Sequence, residues 1–239
     1  MSKAMPYIPA MRDYHPFFIQ TDDDTTMLDT AYEWGLVAKA NLYPALPEMK
    51  DPYSNDWDDE DGLDEYLTET HFKEFDTTVS FYVKTISMLD APAALLLREQ
   101  VRSFFEKIRS GSFRVYDSYS QVGYQNVRFV KADNEDFLAR GDWARMTFEV
   151  TFRVNDPVTR MLPYEGSIVE GYHTLTITVE GGEGTVSALY ANGVEMDYED
   201  GMSIRVGTEV TYTASMDGYD DVTGTVTVTE DTEIDVSMT

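Results

Sequence analysis

Apolar and polar residues alternate with a period of two through much of this chain, and no other feature of the sequence limits its fold as strongly. The pattern is clearest at 174–179, where Leu, Ile and Val alternate with Thr. It recurs in four shorter runs further along the chain, at 204–206, 210–212, 225–228 and 234–236. Such alternation is typical of strands with one buried face, and short strands separated by Gly-containing turns are typical of a small sandwich. The sequence therefore predicts a small antiparallel β-sandwich over 172–239.

Upstream, the same alternation predicts further strands, at 78–84, 113–117, 127–131 and 144–154. Between the first two of these strands, apolar residues instead recur every three or four positions. They are Leu97, Val101, Phe104, Phe105 and Ile108. That spacing indicates a helix with one buried face. The expected fold is mainly β: an α+β N-terminal domain, built as a β-sandwich or barrel with one long helix at about 91–110.

Residues at both ends of this helical segment support its boundaries. Asp90 is suited to cap the N-terminus, and Pro92 is suited to the first turn, where its missing N–H costs nothing. Lys107 and Arg109 lie where the helix dipole favours cations, and Gly111 is suited to end the helix.

The composition changes between the two regions. Residues 171–239 contain 14 acids and one base, a net charge of −13, whereas the upstream region is aromatic and has mixed charges. Pro157, Pro163 and Gly166 punctuate the segment between them, as is common in linkers. We expect one domain at 1–160, a linker at 161–171 and a second domain at 172–239.

The net charge of the whole chain, −26, excludes two classes of partner. Binding to nucleic acid depends on a basic face that neutralises phosphates, and docking on an anionic membrane depends on polybasic segments. The chain has neither, so we expect no nucleic-acid or membrane partner.

The sequence also offers little to a metal ion or a catalytic mechanism. It has no Cys, and its three histidines are far apart along the chain. The segment 51–65 contains eight acids, but aligning Gly62 with the invariant Gly of an EF-hand loop puts Thr68 where the bidentate Glu should be. No G-x-S-x-G or P-loop pattern occurs. We expect a non-enzymatic protein without metal, cofactor or catalytic residues.

The order of motifs across Met27–Pro157 resembles the distal tail proteins of long-tailed bacteriophages and, more generally, the tail-tube fold. The matching pieces follow one another along the chain: Trp34–Val37 (WGLV), the acidic turn 59–64 (DEDGLD), the strand 78–84, the helix before Gly111, Phe113–Asp117 (FRVYD) and the closing 152–157 (FRVNDP). The acidic turn is similar to the family's G-x-D-G-x-D turn, with Asp59 where Gly is usual. The tail, 171–239, resembles the Ig-like modules appended to phage and bacterial surface proteins.

This resemblance implies a virion structural protein that forms a ring, typically a hexamer, between the tail tube and the baseplate and that contacts other tail proteins. The N-terminus lacks the apolar run of a signal peptide, so we expect synthesis in the host cytoplasm and a final location in the virion. The helix carries four bases against two acids, and a neighbour's acidic turn would complement it. The candidate interface residues are Trp57, Asp59, Asp61 and Asp64 of the turn and Arg98, Arg102, Lys107 and Arg109 of the helix.

A second hypothesis is a glycan-binding or adhesin module on the surface of a gut bacterium. Its site would be the acidic turn and the cluster of Tyr116, Tyr119 and Tyr124. A host-surface glycan bound through the C-terminal module is compatible with either hypothesis. The sequence does not separate a distal tail protein from a tube subunit or a tail terminator.

Overall fold

The chain divides into two compact units, Met1–Ile168 and Val169–Thr239. The computed structural model describes residues 14–40, 42, 48–55, 64–66, 71–87, 92–181 and 184–238, with the backbone alone at 53–55 and 64–66. The division falls inside the segment 161–171, where the sequence predicts a linker. That the two units fold independently stays a prediction.

The described part of the first unit contains strands β1 to β11 and helices α1 and α2. The strands are β1 (Phe17–Thr21), β2 (Leu28–Asp29), β3 (Leu36–Lys39), β4 (Tyr53–Asn55), β5 (Asp64–Tyr66), β6 (Phe75–Ile86), β7 (Phe113–Asp117), β8 (Val122–Arg140), β9 (Trp143–Val154), β10 (Arg160–Tyr164) and β11 (Ser167–Glu170). The helices are α1 (Thr30–Trp34) and α2 (Ala93–Ile108).

One nine-stranded sheet forms the frame of this unit. Its main order is β2-β1-β7-β8-β9-β6-β3, with β10 pairing with β8 and β11 pairing with β10, while β4 and β5 form a separate pair. β6 and β9 run antiparallel over their full length, from Phe75 opposite Val154 to Ile86 opposite Trp143. The alternation seen in the sequence follows this ladder: Val79, Phe81 and Val83 are buried on β6, and their neighbours are not.

Helix α2 covers the central strands of the sheet with its apolar stripe. Leu97, Phe104 and Ile108 are completely buried. The ring of Phe104 lies 5.1 Å from that of Phe81 and 5.5 Å from that of Trp34, measured between ring centroids. Buried aromatic rings in tilted or edge-on contact contribute packing energy beyond their area, so this cluster is the centre of the core.

The helix is shorter at both ends than the expected 91–110. Pro92 is extended (φ −60°, ψ 134°) and precedes the helix as its cap residue, so the expectation that Pro92 stands in the first turn is wrong. Asp90, the expected cap, lies outside the described residues. At the other end the helix stops at Ile108, and Gly111 takes a left-handed conformation (φ 78°) three residues later.

Residues 161–171, expected as a linker, are mostly strand. They contain most of β10 and all of β11. Met161 and Ile168 are buried together with Tyr116. The backbone N–H of Ile168 also donates to the buried side chain of Gln20, at 2.6 Å between donor and acceptor. The hairpin is therefore built into the first unit as far as Ile168, where that unit ends.

The second unit contains seven strands in its described part. They are β12 (Tyr172–Val179), β13 (Thr185–Ala191), β14 (Val194–Met196), β15 (Met202–Arg205), β16 (Thr208–Ser215), β17 (Val222–Val228) and β18 (Thr232–Val236). They form a three-stranded sheet, β15-β12-β18, and a four-stranded sheet, β14-β13-β16-β17.

Both sheets of the second unit contribute to one apolar core. Leu175 and Val236 come from the first sheet, and Leu189, Val210 and Val228 come from the second. This is the two-layer packing of a β-sandwich. The expectation that it is antiparallel throughout is wrong, because β12 and β18 pair in parallel from Leu175 opposite Thr232 to Val179 opposite Val236. The prediction of a mainly β chain with one long helix is confirmed.

The two-unit organisation can be tested with single core substitutions, because all three tryptophans (Trp34, Trp57 and Trp143) belong to the first unit. We expect Phe104→Ala to lower the free energy of unfolding seen by tryptophan fluorescence in urea by about 3–5 kcal/mol. Amide hydrogen exchange in β16 should not change. Leu189→Ala is the matched control and should accelerate exchange in β16 without moving the fluorescence transition. If either substitution shifted both readouts, the units would fold as one.

Candidate oligomer interface

The acidic half of the predicted contact lies mostly outside the described residues. Trp57, Asp59 and Asp61 belong to that part of the chain. Asp64 is described by its backbone, which pairs with Asn55 in the β4–β5 ladder. The proximity of these acids to a neighbouring chain therefore stays a prediction.

The basic half is on α2, and its residues divide into two groups. With 3.6 residues per turn, positions 95, 98, 102 and 109 lie along one side of the helix axis. Arg98, Arg102 and Arg109 are exposed there. Lys107 lies on a different side, where it contacts the body of the first unit.

Lys107 is bound to a residue of another part of its own chain, whereas Arg102 pairs along the helix with Glu106, at 2.9 Å. The ammonium nitrogen of Lys107 lies 2.6 Å from a carboxylate oxygen of Asp24, and both side chains are largely buried. Asp24 also accepts from the backbone N–H and the hydroxyl of Thr21, at 2.9 and 2.7 Å. This ion pair joins the end of α2 to the loop after β1. Lys107 therefore has a structural role within the first unit, and its contact with a neighbouring chain stays a prediction.

The electrostatics of Asp24 follow from these contacts. Burial opposes ionisation of its carboxyl, but the hydrogen bonds from Lys107 and Thr21 outweigh burial and hold the pKa of Asp24 below its ordinary value. The aspartate is consequently ionised at neutral pH.

Apolar side chains accompany the exposed arginines. Leu95, in the first turn of α2, is 52% exposed, and Phe137 of β8 is 39% exposed. The guanidinium carbon of Arg98 lies 5.3 Å from the centroid of the Phe137 ring, so the two surfaces are continuous. We call Leu95, Arg98, Arg102 and Phe137 the α2 patch.

The sequence did not place Phe137 in this patch, because it predicts the strand only at 127–131. In the structure β8 continues to Arg140 and passes beyond β7, which pairs with β8 only as far as Val127. Two irregularities in the β8–β9 register, after Phe129 and after Asp133, interrupt the alternation there. The sequence signal that could have indicated an exposed contact residue here is Phe137 itself, an aromatic residue in the charged run 131–140.

A second surface of the first unit is a pocket of about 720 Å³. Its lining includes Tyr14, His15, Tyr82 and Tyr119, together with apolar residues of β3. The rings of His15 and Tyr119 meet edge-on, 5.0 Å apart between centroids. Pockets of this size hold small ligands in many proteins.

The predicted tyrosine cluster is divided between core and surface. Tyr116 and Tyr124 are buried, and Tyr119 is 63% exposed. Buried Asp117 fixes the turn that presents Tyr119, because its carboxylate accepts from the backbone N–H groups of Tyr119 and Ser120. Of the three tyrosines, Tyr119 is the one that a ligand can reach.

The described residues contain no group of three or more His, Asp or Glu side chains placed to hold a metal ion. Within the same part of the chain, no helix is long and apolar enough to cross a membrane.

No protein-family model matches the chain, and no curated protein matches it. Among solved structures, it is similar to the Dit protein (gp 19.1) of SPP1, described as a paradigm of the hub adsorption apparatus in phages that infect Gram-positive bacteria. The two share 14% identity and a TM-score of 0.37, over 87% of this chain and 82% of the other. Similarity at this level carries no argument about function.

The Asp24–Lys107 pair gives a pH-dependent prediction. Since the pKa of Asp24 is lower in the folded chain than in the unfolded one, its ionisation stabilises the fold at pH above roughly 4, where an unfolded Asp is ionised. This stabilisation is lost as the pH falls through the folded-state pKa. We expect Asp24→Asn to lower the free energy of unfolding by about 1–3 kcal/mol at neutral pH. The difference from wild type should shrink in acid.

The control is Asp76→Asn, which removes the carboxylate that pairs with Arg153. This ion pair is more exposed than the pair of Asp24 and Lys107. Exposed pairs contribute little, so its expected cost at neutral pH is about 0–1 kcal/mol. Urea titrations followed by tryptophan fluorescence measure both variants. A cost for Asp24→Asn that stayed constant from neutral pH into acid would show that the pair acts through packing rather than through charge.

Proposed function

We propose that this chain is a non-enzymatic structural protein of a phage or prophage tail, and that its first unit assembles into a ring at the tail tip between the tail tube and the baseplate. The observation that carries this proposal is the α2 patch, an exposed set of apolar and Arg side chains on a strongly acidic protein. The order of motifs from Met27 to Pro157 supports the choice of a tail protein.

The composition of the α2 patch is that of a protein contact. Aromatic residues and Arg are enriched in interfaces, and truncation of such residues is often the most costly. Because each chain carries a net charge of −26, two copies repel each other unless the contact offers apolar area or opposite charge. Leu95 and Phe137 provide the apolar area, Arg98 provides positive charge, and Arg102 contributes a charge that it shares with Glu106, 2.9 Å away on the same helix.

This contact would join two different surfaces. Two α2 patches facing each other would bring Arg against Arg, so the patch needs an acidic surface elsewhere on the neighbour, such as the segment 51–65. A contact between different surfaces is heterologous, and heterologous contacts close into rings when the rotation permits. The free edge of β8 beside the patch is an unsuitable site for strand pairing, because charged residues such as Lys131, Asp133 and Asp136 line it.

The proposal predicts concentration-dependent assembly through the first unit. In light scattering at up to millimolar protein, the mass should rise above the 27.2 kDa of one chain, and six chains would give about 163 kDa. Changing both Arg98 and Arg102 to Glu should prevent this rise, because the patch would then repel the acidic neighbour.

The matched control changes Arg128 and Arg205 to Glu, which makes the same alteration in net charge at exposed positions outside the patch. This variant should assemble as wild type does. A wild-type mass of one chain at every concentration and ionic strength would contradict the ring. So would equal loss of assembly in the two double variants.

A second candidate function, glycan binding at a bacterial surface, is favoured by the pocket of Tyr14, His15, Tyr82 and Tyr119. Aromatic side chains that line a concave surface suit the apolar faces of sugars. In this case, the chain should retain oligosaccharides of bacterial surfaces on an array, and Tyr119→Ala should abolish retention. Tyr190→Ala, which removes an exposed tyrosine of the second unit, should have no effect. Equal retention by all three proteins would exclude the pocket as the glycan site.

A further inference from the structure

The second unit has a sheet edge that lacks the usual protection. β17 is the last strand of the order β14-β13-β16-β17 and pairs on one side, with β16. Its sequence, VTGTVTV, contains no charged residue and no Pro. An edge strand presents a row of backbone N–H and C=O groups, and proteins normally protect such a row with charges, Pro, bulges or a very short strand.

Other edges among the described strands have that protection. β2, β3 and β14 are short, with two, four and three residues. β18 has Glu233 and Asp235 exposed along its length. The free part of β8 is charged and carries register irregularities. β17 therefore differs from them in being both long and uncharged.

The backbone of β17 is held rigidly by its partner strand and by the core. Seven residues pair with β16, from Val222 opposite Ala214 to Val228 opposite Thr208. Gly224 lies opposite Tyr212, and a Cβ at this position would overlap the tyrosine hydroxyl. The edge is therefore already extended, and a partner strand would meet little ordering cost on this side.

The exposed face of β17 itself is neutral, and the one charge beside it on β16 is Glu209, opposite Thr227 at one end of the strand. Thr223, Thr225 and Thr227 are exposed along β17. Two of them meet threonines of β16 across the ladder, with hydroxyl oxygens 3.2 Å apart for Thr225 and Thr211. A strand added beyond β17 would therefore lie beside hydroxyl groups and meet no charge until it reached the ends of the strand.

Acids stand at both ends of the edge. Asp220 and Asp221 precede β17, Glu230 and Asp231 follow it, and all four are exposed. A second copy of the chain does not suit this arrangement. In antiparallel self-pairing centred on Thr225, Asp220 of one copy would lie opposite Glu230 of the other at each end. Like charges placed opposite each other destabilise strand pairs.

We propose that β17 accepts an extended segment of another protein, whose middle is uncharged and rich in β-branched residues and whose two ends carry Lys or Arg. At about 3.3 Å per residue, the seven residues of β17 extend over roughly 20 Å before the chain bends at 229–230, so the two basic ends would lie just beyond that length. Recognition by addition of a strand to a sheet edge takes its affinity from main-chain hydrogen bonds. The acids at the two ends of β17 favour a bound segment whose own ends are positively charged. This inference concerns the second unit and does not depend on the ring.

The probe is a fluorophore-labelled peptide, KKTVTVTVTKK, titrated with the full chain at low salt and followed by fluorescence anisotropy. We expect saturable binding that weakens as salt is added. The peptide EETVTVTVTEE should bind at least about tenfold more weakly, and so should KKTVTPTVTKK, which keeps the charge but interrupts strand pairing. Amide exchange should slow in β17 on binding and stay unchanged in β8.

Two sets of variants locate the site. Thr225→Lys places a charge on the edge and should weaken binding of KKTVTVTVTKK at least about tenfold. Thr211→Lys is its matched control, since it adds the same charge on the same face of the neighbouring strand, and should change binding by no more than about twofold.

In the second set, Asp220 and Asp221 are changed to Asn and Glu230 is changed to Gln. These changes should weaken binding and reduce its dependence on salt. Neutralising Glu195, Asp197 and Glu199 near β14 should do neither.

The proposal would be overturned by binding that is equal for the lysine and glutamate peptides, or by binding that Thr225→Lys leaves unchanged while the chain remains folded. It would also be overturned by a dimer of the full chain that Thr225→Lys abolishes, because a second copy would then be the occupant. None of these outcomes depends on Arg98 or Arg102, so a failure here is distinguishable from a failure of the ring.

Discussion

Burial of the apolar stripe of α2 against the β6–β9 ladder is the interaction on which the rest of the first unit depends. Phe104 is completely enclosed between Trp34, Phe81 and Phe148. Because one side of the helix is fixed in this core, its opposite side must face outward, and that side carries Leu95, Arg98 and Arg102. The helical part of the α2 patch is thus a consequence of how the core is packed, and β8 adds Phe137 to it.

The fold was predictable where local pattern and burial agree. β7 matches its predicted bounds, Phe113–Asp117, because each inward side chain there is buried. The outer half of β8 was not predictable, because it is exposed and irregular in register, so its residues follow no period. The pairing of Lys107 with Asp24 was not predictable, because the two residues lie 83 positions apart in the sequence. Spacing along a helix carries no information about such a distant contact.

The acidic side chains of the two units lie in different surroundings. In the first, Asp24 and Asp76 are each paired with a base of another element, and the pKa of each is held low. The second unit has 15 acids and Arg205 as its one Lys or Arg, so pairing of that kind is open to few of its acids. Its acids are instead placed at turns and on exposed strand faces, where water and salt screen their mutual repulsion. The same distribution keeps the faces of β16 and β17 nearly free of charge.

The parallel pairing of β12 with β18 has a mechanical consequence. Since the first and last strands of the second unit run in the same direction, the chain enters this sandwich at one end and reaches Val236 at the other. A pull applied between Tyr172 and Val236 would slide the two strands past each other along their length. All five registered pairs, from Leu175–Thr232 to Val179–Val236, would then bear the load together. A hairpin pulled from its open end breaks its hydrogen bonds one after another, so this module is arranged to transmit tension along the chain with little extension.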